Sequence, residues 1–511
     1  MPEKVLKKIN DNILPQWKVC FLASLIVGLI AHFYKITNWL PNWDSLVFRY
    51  DPQNMVGLGR WFLPVVCSFS SFYDLPFLNG IIAIIFHGFG AVTICRILNI
   101  KKKITAFLIG AVVVTFPTVT SVMMYNYVAD GYSIAFFLST LAGFYLVKEK
   151  PRYILSGLLI AFSTGIYQAY ITVTVMLVLL KLIDDIIYNN ASFVEILKRT
   201  WKILLTGILG MALYSIMLKI IMSAFSVGLM DYQGINSTAS LSNIDVFGSL
   251  YVIKETFIKC FFDFSKGINV YNTLNVLVFI FTLAFSVKNI VSNKVYKSPV
   301  NIIVLIILGV LLILGAGVLA FINKDIDYHN LMLMGYSVFY LFFLVLYERG
   351  TDKNAKCWAI LITAMVMIGN LVVISNVSYH KAQMAYEKSY GVLVRIADRI
   401  EQTPDAENCK KIVVVGALQD SEGYSVNLTP DITGITEGVI IRRDDETVGQ
   451  SVLTAALNDY CGKDYKFLSG KNKEEFLNRT EVKAMPDWPA GESIMVIDET
   501  IVVKLSEEGE K

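Results

Sequence analysis

The chain has 511 residues, of which 55% are hydrophobic and 17% are charged, and its formal net charge is +3. Soluble proteins carry about 25% charged residues, so this composition excludes an ordinary soluble protein and indicates surface that faces a lipid bilayer. The small net charge argues against nucleic acid as a partner.

The first apolar run, 18–36, follows a polar segment that carries Lys4, Lys7 and Lys8. No clear small-residue cleavage site follows the run, so we expect an uncleaved first span rather than a signal peptide. Further spans are predicted from runs of about 20 apolar residues. The segment 153–183 is long enough for two short helices, because Ser163-Thr164-Gly165 interrupts it. This makes eleven crossings, the others lying near 76–98, 104–123, 131–147, 200–223, 271–289, 300–322, 329–347 and 357–375.

Lysine and arginine orient these spans, because cytoplasmic loops are enriched in both residues. With the N-terminus inside, every inside segment is basic, whereas the outside loops hold acidic and aromatic residues. We therefore predict a multi-pass protein of the bacterial cell membrane with a cytoplasmic N-terminus and an extracytoplasmic C-terminus. The inside segments are 99–103, 148–152, 181–202, 288–297 and 349–356.

Two long outside loops contain segments, 53–73 and 245–264, that are too short or too mixed to span the membrane. Their aromatic and apolar spacing fits helices that lie in the interface plane. Loops packed over the mouth of the bundle are the alternative.

From Asn376 onward the composition changes, and residues 378–402 read as a charged helix. Short strands then alternate with helices, which predicts a small α/β domain over 377–511 behind a transmembrane domain over 1–376. Cys409 and Cys461 both fall in this domain, and their spacing leaves open whether they pair. The strands are expected at 411–415, 465–469, 493–497 and 500–505, and the helices at 448–460 and 473–479.

The common nucleotide-binding and hydrolase motifs are absent from the sequence, which argues against an ATP-driven pump. The first outside loop instead carries Asp44, Arg49, Asp51 and Arg60. A carboxylate beside two arginines suits a transferase that uses a lipid-phosphate sugar. Asp44 or Asp51 would accept the proton of an acceptor hydroxyl, and Arg49 and Arg60, with or without Mg²⁺ or Mn²⁺, would bind the departing phosphate. Alternatively, Asp44 caps a loop helix and the arginines bind lipid headgroups.

Three further polar residues are candidates for lining a cavity. Asp130 stands at the predicted outer end of a span, where it either lines a cavity or caps a helix. Tyr167 and Gln168 stand at the break in 153–183, where a polar side chain is costly in lipid unless it lines a cavity.

The loop after the span 300–322 contains the acidic pair Asp325 and Asp327, followed by His329. A D-x-D pair holds a metal and a nucleotide sugar in soluble transferases, but this loop is predicted to face outside. A solvated turn is the favoured interpretation, with Asp327 and His329 kept as candidates near the substrate.

Several motifs together resemble the bacterial membrane glucosyltransferases of the Gtr type II family. The resemblance extends over most of the chain, although family members often show paired acidic residues where this chain has Trp43-Asp44. Its motifs are Asp44-x4-Arg49, Gly59-Arg60-Trp61, Gly165-Ile166-Tyr167-Gln168-Ala169-Tyr170, Met485-Pro486-Asp487-Trp488-Pro489 and Ile501-Val502-Val503-Lys504.

This resemblance implies a GT-C type fold, a polyprenyl-phosphate-linked glucose donor, and a surface glycan such as O-antigen, teichoic acid or another wall polysaccharide as acceptor. It also implies that the catalytic carboxylate of the first outside loop is Asp44. We therefore predict an inverting transferase with Asp44 as base, although Asp51 leaves a retaining mechanism open. The rival hypotheses are a flippase or exporter of lipid-linked sugars, which predicts paired repeats or broken helices, and a scaffold that presents the C-terminal domain. That domain binds the acceptor glycan or simply packs on the bundle.

Overall fold

The computed structural model describes residues 2–4, 11–47, 53–230, 245–265, 267–323, 326–350, 355–417, 432, 435 and 448–506. The chain separates into two compact units. The first comprises 1–38, 50–376 and 427–432, and the second comprises 39–49, 377–426 and 433–511. The loop segment Trp39–Arg49 is therefore grouped with C-terminal residues, although it lies within the predicted transmembrane domain.

Every predicted apolar run overlaps at least one α-helix, although 329–347 begins with a 3-10 turn over Asn330–Tyr336. The described residues form nineteen α-helices. They are α1 (Pro15–Thr37), α2 (Trp43–Val47), α3 (Gln53–Gly57), α4 (Leu63–Cys67), α5 (Pro76–Ile97), α6 (Lys103–Thr115), α7 (Pro117–Met124), α8 (Asn126–Val147), α9 (Tyr153–Ile166), α10 (Ile171–Tyr188), α11 (Phe193–Phe225), α12 (Val246–Phe261), α13 (Val270–Ser292), α14 (Pro299–Ala316), α15 (Ser337–Glu348), α16 (Ala355–Gln402), α17 (Val448–Cys461), α18 (Lys471–Leu477) and α19 (Thr480–Ala484).

Within the described residues, eight helical segments are long and apolar enough to cross a membrane, or nine if the bent pair α6 and α7 forms one span. The two halves of 153–183 are not among them, because α9 has only 14 residues and α10 carries Lys181, Asp184 and Asp185. The structure thus shows a multi-pass helical protein, and the number eleven stays a prediction.

Surface that faces lipid is clearest on α11. In an apolar stretch of 18 residues of this helix, only 11% is buried inside the protein. Its exposed side chains are large and apolar, such as Leu204 and Ile208, which is 66% exposed. Such surface is stable only against hydrocarbon.

Predicted and observed helices differ in extent at two places in the chain. The expected span 104–123 bends by 42° between α6 and α7, because Pro117 has no backbone N–H to continue the helix. The expected spans and helices at 357–375 and 378–402 form one continuous helix, α16, of 48 residues. No proline separates the two parts, so nothing in the local sequence ends the helix between them.

The two loop segments fold differently from each other. Residues 246–261 form one helix, α12, as predicted. The segment 53–73 instead forms α3, α4 and a 3-10 turn over Ser68–Ser70. A single helix is interrupted there by Gly59, whose φ of +80° is left-handed.

The second unit contains a four-stranded sheet in the order β2-β1-β4-β3. Strand β1 runs parallel to β2 and β4, whereas β3 is antiparallel to β4. All five residues of β4 are buried, as expected for a central strand covered on both faces. The strands are β1 (Lys411–Val415), β2 (Lys466–Phe467), β3 (Ile494–Ile497) and β4 (Thr500–Lys504).

Alternate residues of the central strands face two separate apolar cores. Ile412 and Val414 pack with the C-terminal part of α16 and with α17, whereas Val413 and Val415 pack with residues of α18 and α19. Helices therefore cover both faces of the sheet. Cys409 and Cys461 are free thiols in this unit.

Candidate functional site

The first feature of the site is a break between two helices of the first unit. Helix α9 ends at Ile166, a 3-10 turn covers Gln168–Tyr170, and α10 then begins. The backbone N–H of Phe62 donates to the Gly165 carbonyl at 2.8 Å. A Cβ atom on Gly165 would lie 2.5 Å from the Trp61 indole, so only glycine admits this contact. The break predicted near 163–165 thus docks against the loop that carries Arg60.

Two tyrosines hold the guanidinium of Arg60. Its Nη1 donates to the Tyr132 hydroxyl at 2.9 Å, and its central carbon lies 4.8 Å from the centre of the Tyr167 ring. The two rings stack on each other with centroids 4.4 Å apart. Cation–π contacts strengthen as water is excluded, so this half-buried cation has a defined position.

The backbone just before Arg60 is held by a side chain of the 3-10 turn and by a side chain of α11. Gln168 donates from Nε2 to the Leu58 carbonyl at 2.8 Å, and the Tyr214 hydroxyl donates to the Gly59 carbonyl at 3.1 Å. A Cβ atom on Gly59 would lie 2.6 Å from the Tyr214 hydroxyl. Both the φ angle and the surrounding atoms thus require glycine at position 59. The two hydrogen bonds fix the backbone from which the Arg60 side chain extends.

Asp130 lies inside α8, not at its N-cap as the structural alternative expected, because the helix begins at Asn126. The residue is 1% exposed. Its Oδ1 accepts from the Gly131 backbone N–H at 2.8 Å and lies 3.7 Å from the Cys67 sulfur. Its Oδ2 is buried and has no hydrogen-bond partner among the described residues. A buried carboxylate in a membrane helix is costly and by default indicates function.

Other buried polar atoms around the helix break also lack a hydrogen-bond partner. They are Trp61 Nε1, Thr164 Oγ1 and the Tyr170 hydroxyl. Buried polar groups are nearly always paired, so each exception needs an explanation. Their concentration beside Arg60 is what a site for a polar ligand would produce.

Asp44 belongs to the second unit, where it stands in the first turn of the five-residue helix α2. The side chain that caps this helix is Asn42, whose Oδ1 accepts from the Ser45 backbone N–H at 2.8 Å and from the Ser45 hydroxyl at 2.9 Å. The N-cap of α2 is therefore Asn42 and not Asp44.

The remaining predicted site residues fall into two groups. Arg49, Asp51 and Asp325 lie outside the described residues. Asp327 is exposed, and His329 is partly buried just before a 3-10 turn over Asn330–Tyr336 that contacts the turn over Gln168–Tyr170. The structure thus brings Arg60, Tyr167 and Gln168 together in the first unit, and the turn that follows His329 contacts the turn that contains Gln168. Asp130 lies on α8 beside Cys67.

Among the described residues, no group of three His, Cys, Asp or Glu side chains could hold a metal ion. The part of the loop that includes Asp51 lies outside this set. The predicted role of Mg²⁺ or Mn²⁺ therefore finds no fitting ligand set in the described part of the chain and stays a prediction.

Sequence reasoning did not find Tyr132 and Tyr214, the tyrosines on α8 and α11 that contact Arg60 and its backbone. A hydroxyl-bearing aromatic residue inside an apolar span usually finds a hydrogen-bond partner when buried. That signal exists at both positions, but it does not identify the partner.

A charged network at the other end of α10 was also not predicted. Lys181 lies 3.1 Å from an Asp184 oxygen and 2.7 Å from an Asp185 oxygen. Arg349 donates to both oxygens of Asp184, at 3.0 and 2.9 Å, and Arg199 lies 2.9 Å from Asp185. The spacing of Lys181 to the two aspartates, three and four residues on, was the available signal.

These observations define a polytopic helical membrane protein with a fixed arginine at a helix break. The family described as Glucosyl transferase GtrII matches residues 33–346, which is more than half of the chain. The chain belongs to this glucosyl transferase family, so it is a membrane glycosyltransferase, and the exporter hypothesis is not favoured. No curated protein and no solved structure matches it. The matched range includes every predicted site residue and ends before the sheet of the second unit.

Proposed function

We propose that this protein transfers glucose from a polyprenyl-phosphate carrier to a polysaccharide on the outer face of the cell membrane, with inversion at the anomeric carbon. The family match supports glucosyl transfer at a membrane. The observation that supports the lipid-phosphate donor is the fixed position of Arg60 between Tyr132 and Tyr167, at a helix break in the first unit.

The donor's phosphate is the group that suits Arg60. As the bond between glucose and phosphate breaks, negative charge grows on the phosphate oxygens, and a guanidinium offers a planar pair of donors for them. Because the two tyrosines already orient the cation, little reorganisation is needed at the moment of reaction, which is the condition for electrostatic stabilisation of a transition state.

The acceptor is activated by Asp44 in this proposal. Its carboxylate takes the proton of an acceptor hydroxyl while that oxygen forms a bond to the anomeric carbon of glucose. The bond from that carbon to the phosphate oxygen breaks, and polyprenyl phosphate leaves with the electron pair. One displacement inverts the anomeric centre. Asp44 lies in the first turn of α2, which Asn42 caps.

Asp130 is the second candidate for the base, because its Oδ2 has no hydrogen-bond partner in the described structure. It lies on α8 two residues before Tyr132, which binds Arg60. In our proposal Asp130 lines the donor cavity, as Gln168 and His329 do, and does not take the proton.

A transfer assay separates these roles. Purified protein would receive polyprenyl-phosphate-glucose and a wall glycan, and Asp44→Asn and Asp130→Asn would be compared with wild type. The matched control is Asp398→Asn, an exposed aspartate on α16. Loss of a general base lowers the rate by roughly 10²–10⁴-fold, so we expect that loss for Asp44→Asn only. Near-normal transfer by folded Asp44→Asn, with loss in Asp130→Asn, would move the base to Asp130.

A further inference from the structure

The second unit contains a cleft with a volume of about 360 Å³. This is near the lower limit for small-molecule sites, so it suits a single small group rather than a long chain. Three elements form its walls: α2, α17 and the segment that includes β2. The lining residues are Leu46, Val47, Ser451, Thr454, Asn458 and Phe467, with Ala455, Tyr465 and Lys466.

One wall of the cleft is held in place before any ligand binds. Asn458 donates from Nδ2 to the Tyr465 carbonyl at 3.0 Å, and its Oδ1 accepts from the Tyr465 backbone N–H at 2.9 Å. The strand that follows contains Phe467, which also lines the cleft and is 37% exposed. An exposed aromatic ring beside polar groups offers both an apolar face and hydrogen-bonding partners.

Thr454 carries a second, independent sign of a ligand. This residue is 3% exposed, and its hydroxyl has no hydrogen-bond partner in the described structure. A buried hydroxyl without a partner costs about 1–3 kcal/mol. An uncompensated cost of this kind at the wall of a cleft is explained if a ligand hydroxyl completes the hydrogen bond.

We propose that this cleft binds one saccharide unit of the acceptor glycan. The sugar ring lies against Phe467, and one of its hydroxyls bonds to Thr454. Helix α2 carries both part of the cleft and the proposed base. Leu46 and Val47 line the cleft, and Asp44 lies on the same short helix. The assignment to the acceptor rests on the proposed function.

The test is binding of the full-length protein to an array of bacterial surface oligosaccharides, both neutral and acidic. Thr454→Val removes the unpartnered hydroxyl at nearly constant volume, so the variant should fold at least as well as wild type. Phe467→Ala removes the exposed ring. We expect the Kd to rise about fivefold for the first and about tenfold or more for the second.

Two matched controls should bind as wild type does. Met495→Ala changes a side chain on β3 that is also 37% exposed. Thr500→Val changes a buried threonine whose hydroxyl has a partner, the Asp498 carbonyl at 3.3 Å. Unlike Thr454→Val, this control should lower the melting temperature.

Unchanged binding in both cleft variants would overturn the proposal, and so would an array on which wild type binds nothing. Binding of polyprenyl-phosphate-glucose to wild type, measured without acceptor glycan, keeps the two questions apart. If wild type does not bind the lipid donor, the proposed function fails, whereas the array still decides whether the cleft binds saccharide.

Discussion

The two ends of helix α10, in the first unit, differ in whether their buried polar groups are paired. Near Asp184 and Asp185, each carboxylate is paired with two cations. At the other end, where α10 follows the helix break, the buried hydroxyls of Thr164 and Tyr170 have no hydrogen-bond partner among the described residues. Fully paired charges hold helices together, whereas buried polar atoms without partners indicate a place that a ligand completes. We therefore assign structure to the first end and substrate binding to the second.

Breaking the paired network should give the largest change in stability. Asp184 has a fully buried side chain that is paired with Lys181 and Arg349. Asp184→Ala would remove one anionic partner from each of the two cations. Removing one member of a buried ion pair costs about 3–5 kcal/mol of folding stability. Thermal unfolding in detergent should show a markedly lower melting temperature. An unchanged melting temperature, equal to that of the exposed control Asp398→Ala, would contradict the structural role.

Removing the arginine at the other end should affect catalysis rather than stability. Arg60→Ala removes the cation that we place at the donor phosphate, and loss of one such group typically lowers kcat by roughly 10²–10³-fold. Steady-state kinetics with the lipid donor would measure it. Arg60→Lys should recover only part of the rate, because a lysine lacks the planar pair of donors.

The control for that experiment is Arg96→Ala. Arg96 also lies over an aromatic ring, 4.1 Å from the centre of Phe144, but near the end of α5 that is predicted to face the cytoplasm. It should keep near-normal kinetics. An equal loss in both variants would show that the arginine at the helix break has no special relation to the donor.

A smaller loss is expected when only the orientation of Arg60 is disturbed. Tyr132→Phe removes the hydroxyl that accepts from Arg60 but keeps the stacked ring. A hydrogen bond to a charged group contributes about 1.5–3 kcal/mol, so kcat/KM for the donor should fall at least about tenfold. Tyr188→Phe, at the paired end of α10, removes a hydroxyl that accepts from Asn289 at 2.6 Å and should leave kcat/KM unchanged.

The smallest effect concerns an exposed ion pair in the second unit. A hydrogen bond with Glu401 raises the pKa of Lys463 above its usual value. Its stabilisation is therefore complete below the unfolded pKa of about 10.4 and is lost as pH rises through the higher folded value. Because Glu401 is mostly exposed, Lys463→Met should cost at most about 1 kcal/mol. Unfolding at pH 7 should show this difference, which should shrink above the folded pKa. A difference that persists there would contradict the ion-pair account.

Much of the fold was predictable because its signals are local. Runs of apolar residues identified the membrane helices, and buried β-branched residues identified Lys411–Val415 and Thr500–Lys504 as strands. The break in 153–183 was also visible, because polar residues interrupt an apolar run. Contacts between distant segments carry no such signal. The ion pairs of Arg349 with Asp184 and of Arg199 with Asp185 join elements far apart in the chain, so they appear only after the helices pack.

The candidate site was also predictable only in part. Arg60 was predicted because it stands near a carboxylate in an outside loop, and Gln168 because it is polar at a break in an apolar run. The structure brings them to one place. The loop residue Asp44 was predicted together with Arg60, yet the two residues belong to different units. Sequence proximity does not determine which unit a loop packs with, since Leu46 is buried in the core of the second unit.

The central claim is that glucose arrives on a lipid phosphate, and the choice of donor tests it most directly. Purified protein with a wall glycan would receive radiolabelled glucose either on polyprenyl phosphate or on uridine diphosphate. We predict label in the glycan from the lipid donor only, with that incorporation lost in Arg60→Ala and kept in Arg96→Ala. Incorporation from the nucleotide donor, with none from the lipid donor, would contradict the account.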